Sequence, residues 1–109
     1  MDTTAMTLAH LRAAADGHWL PAAALAHEAA ERAAAAHCTR DAGLALLTLA
    51  QYQALIGHLA LAGTAARLAQ QCLVLAARDP APLPAGYPPD LEAIDTADRL
   101  LRQIETPAA

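Results

Sequence analysis

Five histidines, two cysteines and eleven acidic side chains are the residues of this 109-residue chain that could do chemistry. A metal site needs several of them to converge. A helix turns ~100° per residue, so His18 and His27 would point about 180° apart. His27 and His37 would lie about 80° apart and ~15 Å apart along the axis. His27 and Glu31 do share a helix face. A metal site inside a helical bundle takes further ligands from facing helices, typically as Glu-x-x-His pairs, and the chain has none. No metal and no cofactor is expected.

Nucleophilic chemistry fares no better. The chain lacks Ser and Lys, which removes a serine nucleophile and a Schiff-base lysine. Cys38 adjoins His37, but neighbours on a helix diverge by ~100°. Cys38 is also expected near a helix C-terminus, whose negative end opposes a thiolate. Cys72 falls in an apolar row and reads as core. Glu28 and Glu31 sit with Arg32 on a charged face, the pattern of a solvated surface. His18 and His58 occupy equivalent positions in an internal repeat. They are either turn residues or a pair that charges below about pH 6.5 at a helix N-terminus, which disfavours cations. No catalytic residue is expected. The surface best suited to a partner combines Trp19, Tyr52 and the Thr48/Gln51 side of one helix, since Trp and Tyr are enriched at interface hot spots. Trp19 could equally staple the turn beside it.

The elements that position these residues follow from composition. Hydrophobic residues make up 56%, yet only Trp19, Tyr52 and Tyr87 are aromatic. The core is therefore Leu and Ala. Ala is the strongest helix former, and β-branched aliphatics are limited to Val74 and three Ile, so the fold is all-α. Missing Lys, Asn and Phe alongside abundant Ala, Arg and Pro suggests a GC-rich, bacterial genome. The formal charge is −4, and the seven Arg are scattered. No basic patch offers itself to phosphates, so neither nucleic acid nor an anionic membrane is an expected partner. The N-terminal Met1-Asp2-Thr3-Thr4 lacks a basic, apolar leader pattern. No stretch of ~18 residues is free of polar side chains, so a membrane span is not expected. A cytoplasmic location with free thiols follows.

Along the chain, Thr3 or Thr4 can cap a helix carrying Leu8, Leu11, Ala14 and Ala15 and ending at Gly17. A helix from Trp19-Leu20-Pro21 to about Cys38 buries Ala22, Leu25, Ala26, Ala29, Ala33 and Ala36. Proline suits its first turn, and Glu28–Arg32 is an i, i+4 pair. Thr39-Arg40-Asp41 reads as a polar turn, with Thr39 or Asp41 capping a helix to Ile56. That helix is apolar nearly all round and is placed centrally. Gly57 ends it. A helix over 59–77 follows, with Leu61, Ala65, Leu68, Cys72 and Leu75 in one apolar row and Ala62, Ala66, Ala69, Leu73 and Ala76 in another. Five prolines within residues 79–89 forbid helix and make an extended connector. Asp90 can then cap a final helix to about Glu105, with Leu91, Ile94, Ala97, Leu101 and Ile104 as its stripe. Asp98–Arg102 pairs on its polar side.

The chain also repeats. At an offset of forty residues Gly17 meets Gly57, His18 meets His58, Trp19 meets Leu59, Ala22 meets Ala62 and Ala29 meets Ala69. Such a period points to stacked helical units. A helix, a Gly-His-Trp or Gly-His-Leu turn, and a second helix with Ala three residues on resembles tetratricopeptide repeats. Residues 3–38 and 39–78 would be two helix pairs, 79–89 a connector and 90–105 a capping helix, about five antiparallel helices in one domain. The 40-residue spacing is longer than that family's 34 and is similar to degenerate repeats of bacterial signalling and transcription regulators. The resemblance implies a protein-binding groove and no catalysis. Two repeats are fewer than the three such stacks generally need, so dimerisation or a bound partner would complete them. The expected function is a non-catalytic adaptor for a protein or peptide, or for a second copy of itself. A small secretion or assembly chaperone, and a metal- or small-molecule-binding bundle, are the alternatives. A plain five-helix bundle remains the alternative fold.

Overall fold

The computed structural model describes residues 12–14, 16–79, 81–83 and 85–105. The described residues are all-α: α1 (Trp19–Ala35), α2 (Thr39–Ile56), α3 (Leu59–Ala76) and α4 (Asp90–Glu105), with Arg12 to Ala14 helical ahead of them. The expected Thr3 or Thr4 cap and the Leu8, Leu11 and Ala15 positions lie outside the described residues.

One turn geometry recurs. The chain takes a left-handed φ of 76° at Gly17, 59° at His37 and 94° at Gly57. In each case that residue and the next close the preceding helix. Gly17 N donates to Ala14 O and His18 N to Ala13 O; His37 N to Ala34 O and Cys38 N to Ala33 O; Gly57 N to Ala54 O and His58 N to Gln53 O. This is the Schellman arrangement, which satisfies carbonyls that a helix end otherwise leaves bare. The following residue then opens the next helix: His18, Cys38 and His58 accept from Ala22, Ala42 and Ala62. The turns stand at 17, 37 and 57, so the unit is one helix together with its turn, twenty residues in all. The offset of forty in the sequence is two of these units.

This geometry corrects several expectations. α1 ends at Ala35 instead of Cys38, and the turn is Ala36-His37-Cys38 instead of Thr39-Arg40-Asp41. The reason is that His37 takes the left-handed φ and closes the helix early. Neither Thr39 nor Asp41 caps α2; its N-cap is Cys38, with no side-chain cap bond. Ala36 is exposed, and Ala23 and Ala30 are buried in α1.

Consecutive helices pack against each other, and α2 also touches α4. The expectation that 39–56 is the central helix holds. Short turns make α1, α2 and α3 antiparallel neighbours. Two apolar clusters result. One joins Ala22 and Ala26 of α1, Leu49, Ala50 and Tyr52 of α2, Ala65 and Ala66 of α3, and Leu101 of α4. The other joins Leu47, Ala69, Leu73, Ala93 and Ala97. Alanine and glycine let the axes approach closely. A Cβ on Gly43 would stand 2.9 Å from Leu73 Cγ and 3.1 Å from Cys72 Cβ, so α2 and α3 cross in near-backbone contact there.

α4 buries Ala93, Ala97 and Leu101. Leu91, expected in its stripe, is 80% exposed, because it lies ~120° around the axis from Ala97. The expected surface pairs form, Arg32 Nη2 to Glu28 Oε1 at 3.3 Å and Arg102 Nη2 to Asp98 Oδ2 at 2.8 Å. By length and composition alone α3 is apolar enough to cross a bilayer, although, as expected, Thr64, Arg67, Gln70 and Gln71 interrupt it. Seven of its residues are buried against neighbouring helices.

Candidate protein-binding groove

α2 and α4 touch each other, and both pack on α3. The groove between them encloses about 660 Å³. Its apolar lining comes from Tyr52, Ala54 and Leu55 of α2 and Leu100 of α4, and its polar lining from Gln51, Thr96, Arg99 and Gln103. Leu55 is 61% exposed. Apolar and polar side chains thus share the lining, as they do at protein interfaces.

The expected partner-binding residues divide across this groove. Gln51 and Tyr52 line it. Tyr52 is only 7% exposed and forms part of the floor; burial pushes its phenol above the ordinary range. Trp19 packs behind it, ring centroids 6.0 Å apart and planes at 38°, against the same cluster. Thr48 is half-buried and donates its hydroxyl to Leu44 O at 3.0 Å, a bond back along its own helix. Sequence reasoning missed Leu55 and Leu100 as groove residues. In the sequence Leu55 is one member of an all-round apolar helix, and Leu100 lies beside the α4 stripe. A surplus apolar residue outside the main stripe was the available signal.

A second polar cluster ties α4 down. Arg40 Nε donates to Asp90 Oδ1 at 2.8 Å, and Arg40 Nη2 donates to Asp90 Oδ2 at 3.0 Å and Ala76 O at 2.9 Å. The Tyr87 hydroxyl donates to Asp41 Oδ1. The expected capping of α4 by Asp90 does not occur; it is the first helical residue, and its carboxylate goes to Arg40. The fork geometry is the strong form of an arginine–carboxylate contact. It holds the Asp90 carboxyl below its ordinary range. The bond to Asp41, and then burial, raise the Tyr87 phenol. At the other end of α4, Arg67 of α3 pairs with Glu105.

Cys38 is exposed and stands just past the C-terminus of α1, as expected, where it is also the N-cap of α2. Its thiol meets Ala36 O at 3.7 Å. Cys72 is half-buried against Gly43, and both thiols are free. His18 and His58 hold equivalent N-cap positions without side-chain cap bonds. His58 Nδ1 lies 3.0 Å from Gln53 Oε1. Among the described residues no group of three His, Cys, Asp or Glu is placed to hold a metal ion.

The fold and the groove define an all-α protein of sequentially packed helices, compatible with a helical repeat. No protein-family model matches the sequence, and no curated protein and no solved structure matches it.

Proposed function

We propose that the chain is a non-catalytic protein-interaction module of tetratricopeptide-like build, taking an apolar-faced peptide or helix into the groove between α2 and α4. The observation that carries this reading is the groove itself. It has an aromatic floor, Tyr52 backed by Trp19, an exposed leucine on one wall, and polar lining from two amides, a threonine and an arginine. A buried aromatic floor presents contact area without rotamer freedom to lose on binding. The twenty-residue helix units support the repeat-like build. The test is Leu55→Glu. Its wild-type side chain is mostly in solvent, so helicity and melting temperature should stay unchanged. Binding of a partner captured by the wild-type chain should weaken by about tenfold or more, the loss typical of an interface hot spot. Retention of that partner at wild-type affinity would refute the groove.

A further inference from the structure

We propose that α4 is an exchangeable occupant of a seat formed by α2 and α3, and that two copies of the chain exchange it in a reciprocal, domain-swapped dimer. The inference rests on how α4 is held and does not depend on the partner groove being correctly read.

Three observations carry it. First, α4 is lightly seated. It buries three residues, whereas α1, α2 and α3 bury six, six and seven. Open space flanks it on both sides, about 660 Å³ toward α2 and about 650 Å³ toward α3. Second, its connector is far longer than its position requires. Arg40 bonds both Ala76 O, at the end of α3, and Asp90, at the start of α4. The intervening residues 77–89 therefore leave and return to a single guanidinium. Five of those residues are proline, which favours extension at ~3.1 Å per residue, a reach of about 40 Å. The molecule measures 43 × 29 × 22 Å, so the straightened connector can deliver α4 to a neighbouring molecule. The α1–α2 and α2–α3 turns have no such slack. Third, the seat and its occupant are complementary in charge. α4 carries five acids against two arginines. The single arginine of α2, Arg40, and the single arginine of α3, Arg67, meet acids at its two ends, Asp90 and Glu105.

In the exchanged dimer each seat keeps every contact of the monomer, now to the partner's α4. Only the connector changes, from folded back to extended. Such an exchange is a low-cost route to a symmetric dimer.

Charge reversal in trans tests this on the full chain. Arg40→Asp and Asp90→Arg each break the clamp within one molecule. A reciprocal heterodimer of the two variants restores both clamps. In one seat the carboxylate introduced by Arg40→Asp faces the guanidinium introduced by Asp90→Arg. In the other seat the unaltered Arg40 faces the unaltered Asp90. Each variant alone should scatter light as an 11.3 kDa monomer. An equimolar mixture, warmed below global unfolding and cooled, should double in mass and melt above either variant alone. A mixture that stays monomeric overturns the proposal. So does a dimer formed equally well by one variant alone, which would place the interface elsewhere. Should Arg40→Asp fail to fold, Arg67→Glu with Glu105→Arg applies the same logic at the exposed far end of α4, with the same two overturning results.

Discussion

His37 is the residue whose conformation least follows from its type. It holds a φ of 59° in the position that Gly17 and Gly57 fill at the neighbouring turns. A left-handed conformation brings Cβ close to the following carbonyl, at roughly 1–2 kcal/mol for a residue other than glycine. His37 is exposed, so its side chain contributes little packing in return. His37→Gly should therefore stabilise the protein by about 1 kcal/mol, partly offset by the entropy glycine adds to the unfolded chain. Chemical denaturation of the two proteins checks this. An unchanged or lowered midpoint would show that the imidazole makes a compensating contact. The same residue explains why the turn is misplaced when read from sequence. Gly17 and Gly57 announce themselves, because glycine is the default at positive φ. Ala36-His37-Cys38 contains no such mark, and Thr39-Arg40-Asp41 has the polar composition of a turn.

Between helices the decisive contact is small. α2 and α3 meet where Gly43 faces Leu73, which is fully buried, and Cys72. Helix propensity alone would make Gly43→Ala stabilising by about 1 kcal/mol. The added methyl would stand 2.9 Å from Cγ of Leu73, the branch point of a fully buried side chain and not its free end. Overpacking of this kind costs about 1–3 kcal/mol, so the clash wins and Gly43→Ala should lower the melting temperature. Calorimetry decides the sign, and a raised melting temperature would mean that α2 and α3 can separate at that crossing. In the sequence Gly43 is only a weak point inside an apolar helix. Its role depends on which residue of another helix lies opposite. α4 teaches the same lesson from the other direction. Its amphipathic period is legible, and Ala97 and Leu101 lie in the core as expected. The facing direction differs by enough to leave Leu91 in solvent, because Ala93 supplies the contact instead.

For the molecule taken together, the polar clamp at the connector links stability to pH. The Asp90 carboxyl is held low by the Arg40 hydrogen bonds. A group with a depressed folded value adds stability above its unfolded value, near about pH 4, and loses it as pH falls through the folded value. The Tyr87 phenol is raised by its bond to Asp41. It adds stability below its unfolded value, near about pH 10, and loses it as pH rises through the folded one. Thermal melts from about pH 3 to about pH 11 should show both limbs. Asp90→Asn should lower the melting temperature at neutral pH by a few degrees and flatten the acid limb. Tyr87→Phe should flatten part of the alkaline limb, the rest belonging to the buried Tyr52 phenol. An acid limb of unchanged slope in Asp90→Asn would show that other carboxylates carry it.

What the sequence determined by itself was local. Ala and Leu at helical spacing set four helices in their observed order, glycine set two of the three left-handed turns that join successive helices among the described residues, and clustered prolines set the long connector. Each of these follows from the steric and entropic preferences of a short stretch of backbone, so each can be read without knowing what lies beside it. The tertiary structure alone decided the rest. It put Arg40 on Asp90 across fifty residues of chain and Tyr87 on Asp41. It turned Tyr52 from a surface candidate into the floor of a groove. It also left Leu55 standing open at the groove's wall. Those outcomes depend on the rotation and spacing of one helix against another, which side-chain packing fixes only when the whole core has formed.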